Sequence, residues 1–348
     1  MSATDLHRLA YQVKVRDVIQ ETADAVSLTL DAATGPTASF DYRPGQFLTL
    51  RVPCQDGPLT RCYSLSSSPH SDTPPTITVK RVPDGRASNW ICDNASPGSV
   101  FDVLLPSGGF VPRDWSAPFL LVAGGSGITP IMSILRTALA IHDNPITLAY
   151  ANRDAASVIF TRELDALARD HPDRLTVTHW LESESGRPTA AALRSWLTAA
   201  PRSHAYLCGP APFMAAARTA LEANGLDAAH LHAEVFTSLT TDPFSAAPAP
   251  VISESATTAT ATVELDDETH SITWPDDTVL LDVLLAEGLD APYVCREGTC
   301  GGCAFTLRRG EVHMRENHTL DQHDLARGTR LACQSEPRSD TLDIVFDQ

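Results

Sequence analysis

The sequence predicts a multidomain chain: an antiparallel β-barrel, then an α/β doubly wound parallel sheet, then a small acidic domain rich in cysteine. Three observations predict it. Short β-branched stretches punctuated by turns occupy residues 11 to about 112. From "PFLLVAGG" onward, apolar strand-like runs alternate with helical stretches. Finally, "SLTTDPFSAAPAPVISESATTATAT" at 238–262 replaces apolar periodicity by Ser, Thr, Ala and Pro, and the chain beyond it has a different composition. With 348 residues there is room for two or three cores of ordinary size. The expected divisions are 1–113, 114–237, a linker at 238–260, and 261–348.

In the first part the expected strands are "YQVKVRDVI", "VSLTL", "QFLTLRV", "CYSLSS", "TITVKRV" and "VFDVLLP", with one helix, "RASNWICDN", between the fifth and sixth. Short strands with little helix between them suit a small antiparallel barrel. In the second part the strands are "FLLVA", "ITLAY", "LTVTHWL", "HAYLC" and "HLHAEVF", and the helices are "PIMSILRTALAIH", "TRELDALARDH", "TAAALRSWLTAA" and "PFMAAARTALEANG". Such βαβ alternation gives a parallel sheet covered on both faces. Gly225 stands where the last of these helices should stop.

Charge narrows the function classes. The chain carries 26 basic against 43 acidic residues, a net of −17, and residues 261–348 hold 18 Asp and Glu against 7 Arg and no Lys. Nucleic acid and anionic membranes are disfavoured, because binding them needs cationic contacts. A basic protein surface fits as a partner, as does a plain solvated acidic face. No apolar run reaches the roughly 20 residues of a membrane span, and "MSATDLHRLAYQ" lacks the pattern of a signal peptide, so the expected location is cytoplasmic. Eight cysteines in a reducing compartment are to be read as ligands or bystanders, not as a disulfide framework.

Cys295, Cys300 and Cys303 form C-x4-C-x2-C, and Cys333 follows 30 positions after the third. This is the plant-type [2Fe–2S] spacing, in which four thiolates hold two irons. Gly298, Gly301 and Gly302 suit a loop that needs permissive φ angles and amide N–H groups turned toward sulfur. A structural zinc site is the alternative, though such sites usually present two short cysteine pairs. No Cys-x-His pair occurs, so the chain is not expected to carry a Rieske cluster itself; His230 and His232 read as ordinary strand histidines.

Other motifs supply candidates for a source of electrons. In "RCYSLSSSP" an Arg, an aromatic and a hydroxyl follow one another, read as one strand face: Arg61 for a phosphate, Tyr63 for a flat ring, Ser64 as a hydrogen-bond donor. "GRASNW" puts Ser88 at a helix start, where N–H groups favour an anion such as pyrophosphate. "VAGGSGITP" follows a strand and opens a helix, the context of a dinucleotide-phosphate turn, though it departs from G-x-G-x-x-G. It is not a nucleophile elbow either, since Ile128 follows Gly127. "YLCGP" puts Cys208 at the carboxyl edge of the sheet, where ligands of open sheets bind.

The order RxYS, GGSGITP, CGP and plant-type cysteines resembles the ferredoxin–NADP reductase superfamily in its fused form, over essentially the whole chain. "VKRVPDGRASNW", "GSGITPIMSIL", "EVFTSLTTDPF" and "LLDVLLAEGLDAPYVCREGTCGGCAFTL" are similar to reductase components of steroid-degrading oxygenases. The resemblance implies an α+β, β-grasp-like ferredoxin domain holding the [2Fe–2S] cluster on Cys295, Cys300, Cys303 and Cys333. It implies FAD held by Arg61, Tyr63 and Ser64 with help from Lys80 and Ser88. It implies NADH bound by Gly127, Thr129 and Pro130, with Cys208, Gly209 and Pro210 beside the nicotinamide and Asn152 and Arg153 near the adenosine ribose. Glu234 and Phe236 would close over the flavin, and Ser64, Cys208 and Glu234 would be catalytic.

The activity so implied is an oxidoreductase relay from NADH through FAD and the cluster to a Rieske-type terminal oxygenase; a monomer is expected, although no residue pattern speaks to oligomeric state. A reductase for an aromatic-acid or acyl-CoA oxygenase, and a flavin and iron–sulfur redox sensor, stand as alternatives. Choice of nicotinamide is open from the residues: Arg153 could clamp a 2′-phosphate, whereas Asp154 beside it would repel one.

Overall fold

A computed structural model of the chain describes residues 10–33, 41–70, 74–200, 202–236, 238–239, 242–244, 257–265, 268–289, 291–320 and 322–346. The chain forms two compact units, one built from Tyr11–Pro106 and Phe110–Ser238 and the other chiefly from Leu239–Gln348.

The first unit begins with β1 (Ala10–Thr22), β2 (Ala25–Ala32), β3 (Phe47–Val52), β4 (Leu59–Ser64), β5 (Thr76–Lys80), α1 (Arg86–Asn94) and β6 (Val100–Ser107). The six strands make one sheet in the order β4-β3-β6-β1-β2-β5. β1 with β2, β2 with β5, and β3 with β4 run antiparallel. Beyond β4 the chain meets the far edge: Leu65 bridges Ile77, and Ser66 N–H donates to Thr76 O at 2.7 Å. The sheet therefore curls until its edges meet, which removes them as open pairing surfaces. Alternation turns Val13, Val15, Leu28, Leu30, Leu48 and Leu50 into the interior, and α1 contributes Ala87 and Ile91.

The same unit continues as β7 (Phe119–Gly124), α2 (Ile128–Ile141), β8 (Ile146–Asn152), α3 (Thr161–Asp170), β9 (Leu175–Leu181), α4 (Glu182–Ser185), α5 (Ala190–Trp196), β10 (His204–Cys208), α6 (Ala211–Ala223) and β11 (Leu231–Glu234). The sheet order is β11-β10-β7-β8-β9, and all its pairs are parallel. One face packs on α2 and α3 around Tyr150, Leu148 and Leu121; the other packs on α5 and α6 around Val122, Leu207 and Phe213. From β7 the chain winds outward through β8 and β9, then returns to β10 on the other side. The crevice between the carboxyl ends of β7 and β10 is thus the topological switch point, the place where open α/β sheets bind ligands.

Gly225 takes φ +87° just past α6, as its position in the sequence predicts. α5 ends at Trp196, short of the expected Ala200, because Asn224 Nδ2 donates to Arg194 O at 2.8 Å and Leu197 O at 3.0 Å and caps it there.

The second unit holds β12 (Thr258–Leu265), β13 (Glu268–Pro275), α7 (Leu280–Ala286), β14 (Ala304–Arg309), β15 (Val312–Met314), α8 (Gln322–Ala326), β16 (Thr329–Leu331), β17 (Ser335–Pro337) and β18 (Thr341–Val345). Its main sheet runs β13-β12-β18-β14-β16, with β12 and β18 parallel and their outer neighbours antiparallel. Leu280, Leu281 and Leu284 of α7 pack on that sheet around Trp274, whose Nε1 donates to Thr278 O at 2.7 Å. This mixed sheet grasping one helix is the β-grasp-like form expected. β12 starts at Thr258, inside the stretch read as linker. There Ala259, Ala261 and Val263 face inward while the threonines face out, a period of two hidden by a low-complexity composition. Residues 240–241 and 245–256 of that stretch lie outside the described residues. Among the described residues no helix is long and apolar enough to cross a membrane.

Candidate functional site

At the switch point, two glycine turns are pressed together. A Cβ on Gly127 would stand 2.1 Å from Cys208 O, one on Gly124 would stand 2.8 Å from Phe213 Cδ1, and one on Gly209 would stand 3.0 Å from the Gly124 backbone. Side chains at these positions would fill the crevice, so the sequence needs glycine for close approach rather than for backbone freedom. Gly125 is the contrary case: its φ is +52°, and a Cβ there would meet nothing. Gly127 precedes the 14-residue α2 with no side-chain acceptor on the helix, and Ile128 N–H turns back to Gly125 O and Ser126 O, so the glycine turn runs straight into the helix and its positively polarised end suits a phosphate group. Thr129 and Pro130, expected at this turn, are buried in the first turn of α2, where Thr129 Oγ1 donates to Ser126 O at 3.1 Å. Pro210 precedes α6 as its N-cap, and its Cδ lies against Gly124.

Two acid groups sit beside this crevice. Cys208, at the end of β10, is fully buried, and Glu234 is its register partner at the end of β11. Burial, with Glu234 nearby, pushes the Cys208 thiol well above its ordinary value. Glu234 is half-buried as a residue, but its Oε2 is sealed from solvent with no hydrogen-bond partner among the described residues, and burial raises its carboxyl from 4.5 to about 8. Phe236, two residues on, is 49% exposed. On the other side of the crevice, β8 ends at Asn152, whose buried amide atoms have no hydrogen-bond partner among the described residues. A sealed carboxyl and a sealed amide flanking a crevice shaped by missing side chains suit a dinucleotide with polar groups at both ends.

The barrel supplies a second set. In β4, alternation puts Arg61 and Tyr63 on one face and buried Ser64 on the other, so the three do not share the single face expected of them. Arg61 Nη1 donates to Thr60 O at 2.7 Å and leaves the guanidinium half-exposed; Tyr63 is packed on the barrel interior, and burial raises its hydroxyl. Lys80, at the end of β5, is lowered by burial against the opposing pull of Asp24, 3.8 Å away. The nine-residue α1 starts after Gly85 with no side-chain cap, and buried Ser88 accepts Val82 N–H at 3.2 Å. A half-exposed guanidinium, an aromatic on the same strand face and an uncapped helix start fit a flat ring system with a pyrophosphate.

Residues with no motif of their own link the two sets. Just past β4, Ser67 O accepts from Ser133 Oγ at 2.6 Å, Ser66 O accepts from Arg136, and Ser68 pairs with Thr137 at 2.8 Å. Ser133, Arg136 and Thr137 lie on α2, the helix that opens at Gly127. Arg136 is held in turn by a bidentate pair with Glu163, at 2.7 and 2.6 Å. The strand bearing Tyr63 and the helix bearing the glycine turn are therefore tied by buried polar bonds. In the sequence, only the serine run hints at this.

In the second unit, Cys295, Cys300, Cys303 and Cys333 are all buried. Every sulfur receives an N–H. Glu297 and Thr299 donate to Cys295 Sγ at 3.3 and 3.4 Å, Cys295 and Gly302 donate to Cys300 Sγ at 3.4 and 3.3 Å, Cys333 donates to Cys303 Sγ at 3.5 Å, and Gln334 Nε2 donates to Cys333 Sγ at 3.5 Å. Donors on sulfur stabilise thiolate charge. Gly298 and Gly301 take φ +70° and +73°, while Gly302 serves by close approach, 3.5 Å from Cys300 Sγ to a Cβ position. Arg296 takes φ +59° and is anchored by an ion pair with Asp282 and by the Tyr293 ring at 5.5 Å. Thiol contacts run from Cys300 to Cys295 to Cys333 to Cys303, and among the described residues no three His, Cys, Asp or Glu side chains are grouped to hold a single ion. Four buried thiols solvated by N–H donors fit the two-iron group that their spacing predicts.

Comparison with known proteins agrees. Residues 12–111 match an oxidoreductase FAD-binding domain, 121–219 an oxidoreductase NAD-binding domain, and 263–338 a 2Fe-2S iron-sulfur cluster binding domain. The chain is 51% identical over 344 residues to the ferredoxin reductase component of 3-ketosteroid-9-alpha-monooxygenase of Mycobacterium tuberculosis H37Rv, covering 97% of this chain and 96% of that protein. The chain belongs to this ferredoxin reductase family. The reductase is also 30% identical to a component of the 1,2-phenylacetyl-CoA epoxidase of Escherichia coli K12, covering 97% of this chain and 98% of that protein. Among solved structures, phthalate dioxygenase reductase, described as modular electron transfer from pyridine nucleotides to [2Fe–2S], matches with a TM-score of 0.56 and 27% identity over 97% of this chain and 98% of that one. The reductase is thus an oxidoreductase with FAD, NAD and [2Fe–2S] domains in that order, and its electrons run from NADH to FAD to the cluster.

Proposed function

We propose that the reductase delivers electrons from NADH to a Rieske-type terminal oxygenase that hydroxylates 3-ketosteroids at the 9α position, acting as a cytoplasmic monomer. The 51% identity to a steroid monooxygenase reductase, against 30% to the CoA epoxidase component, favours the steroid over the acyl-CoA substrate. The single observation that carries the electron-transfer reading is the set of six N–H donors on four buried cysteine sulfurs.

When bound, FAD and the cluster supply hydride acceptance and one-electron release. The chain's own residues bind, orient and exclude water. The α2 amides beside Gly127 hold the dinucleotide pyrophosphate, with Thr129 and Pro130 shaping the turn and Gly209 and Pro210 the opposite wall. Cys208 packs beside the nicotinamide, and a neutral Glu234 seals that side without placing a charge there. Arg61 and the α1 amides with Ser88 hold the flavin phosphates, Tyr63 packs on its ring, Ser64 holds a hydrogen bond at its edge, and Phe236 covers its open face. Lys80 adds positive charge toward the phosphates, and Asn152 with Arg153 takes the adenosine ribose. Cys295, Cys300, Cys303 and Cys333 ligate the irons. The divisions at 113/114, 237/238 and 260/261 are the domain limits that go with this reading.

The acidic 261–348 segment would dock on a basic oxygenase face. The test is reconstitution with a Rieske-type steroid oxygenase, scoring NADH-dependent 9α-hydroxylated product. Product formed with an aromatic-acid or acyl-CoA oxygenase but not with the steroid enzyme would reassign the partner.

A further inference from the structure

The barrel reaches into the dinucleotide site through one carboxylate. Asp24 lies in the turn between β1 and β2. Its Oδ2 meets Arg153 Nη2 at 3.1 Å and Lys80 Nζ at 3.8 Å. Its other oxygen accepts from Thr22 Oγ1 at 2.7 Å, and its backbone O accepts from Arg81 N–H at 2.7 Å. The carboxylate is thus fixed on three sides and stands between Lys80 and Arg153, the residue that follows β8.

A second carboxylate is fixed there too. Asp154 Oδ1 accepts Ser157 N–H at 2.9 Å and caps the short turn that follows β8. Two cations and two carboxylates leave this corner without net charge. Arg153 is 68% exposed, so water would leave it free to reorient were Asp24 not holding it. A ribose 2′-hydroxyl can donate to a carboxylate and needs no cation, whereas a 2′-phosphate needs an uncommitted guanidinium or ammonium.

We propose that Asp24, a barrel residue outside the NAD-binding domain, is a specificity-determining residue: by engaging Arg153 it withholds the guanidinium that a 2′-phosphate would need, and so selects NADH over NADPH. The inference rests on the reading that Arg153 lies beside the adenosine ribose. It assigns the choice of nucleotide to a contact between the barrel and the end of β8, both within one compact unit.

The test is calorimetric titration of the full-length holoprotein with 5′-AMP and with 2′,5′-ADP, in the wild type, D24N, R153A and D24N/R153A, with NADH as competitor. Asparagine keeps an oxygen for Thr22, so D24N is expected to fold, and the visible spectrum of the bound cofactors checks that it has. In the wild type 2′,5′-ADP binds no tighter than 5′-AMP. D24N tightens 2′,5′-ADP by on the order of tenfold, the worth of one charge-assisted hydrogen bond, and leaves 5′-AMP unchanged. D24N/R153A loses that gain. No gain in D24N, an equal gain for both ligands, or a gain that survives loss of Arg153 overturns the proposal alone, provided NADH displaces 5′-AMP. If NADH fails to displace 5′-AMP from the wild type, the placement of the ribose is wrong and the proposal falls with it.

Discussion

Cys208 and Glu234 are register partners at the carboxyl ends of two parallel strands, the first fully buried and the second with a sealed carboxyl oxygen. Parallel pairing at the switch point forces these two acid groups together, and among the described residues no cation opposes the effect of burial on either. Burial therefore keeps both neutral at pH 7.

The folded protein holds a proton on Glu234 that the unfolded chain gives up, so the sign of the linkage is fixed. The stabilisation is full below about 4.5, falls as pH rises toward about 8, and is level above it. Glu234→Gln, which mimics the neutral form, removes this slope. The melting temperature of the variant should gain on that of the wild type across this window. A gap that stays constant with pH would show that Glu234 ionises normally.

The Gly127 turn makes a steric prediction. Its φ is −63°, an ordinary helical value, so alanine is not strained there; the obstacle is Cys208 O at 2.1 Å from the added Cβ. Gly127→Ala must push β10 and the β7 turn apart, at a cost of about 1–3 kcal/mol, and should weaken NADH binding. Gly125→Ala, at φ +52° with open space, should cost about 1 kcal/mol and leave the crevice shape intact. Thermal unfolding and NADH titration of the pair separate the two. Equal losses of NADH affinity would contradict the close-approach argument.

Where the sequence was legible, period and punctuation agreed with packing. The helix expected at "RASNWICDN" is α1 to the residue, and Gly225 ends α6, because local propensity and tertiary contacts ask for the same thing there. Where they parted, a distant partner decided. α5 stops early because Asn224 caps it, and β12 starts early because its inward alanines pack on a core that composition does not reveal. The 2Fe-2S domain was legible from the cysteine spacing alone. Asp24, Arg136 and Gln334 were not, since each acts through a partner more than 25 residues away or through one backbone atom that no motif records.

Arg136 ties α2 to the segment after Ser64 and forms a bidentate pair with Glu163. It also lies over the Phe160 ring at 5.2 Å. Arg136→Ala leaves Ser66 O without its donor and Glu163 without its cation, beside Glu21, whose carboxyl burial already raises. The pair is partly exposed, so the loss should be about 1–2 kcal/mol rather than that of a fully buried pair. The NADH-driven bleaching of flavin absorbance should slow as well, because one of the three ties between the two halves of the site is gone while Ser133 and Thr137 keep theirs. Unaltered bleaching with a lowered melting temperature would limit Arg136 to stability.

Gln334 Nε2 donates to Cys333 Sγ at 3.5 Å and to Arg296 O at 2.9 Å, and so joins the fourth cysteine to the loop that carries the first. A donor on sulfur favours the more negatively charged, reduced state of the group that the sulfurs hold. Gln334→Leu keeps the side-chain bulk and removes both bonds. The iron content should be retained while the reduction potential of the cluster moves to a more negative value, read by spectroscopic titration against mediators. The backbone donors on Cys295 and Cys300 are untouched by the substitution, so the shift reports the loss of the Gln334 amide alone. A potential equal to that of the wild type would mean that the amide holds the loop and does not tune the cluster.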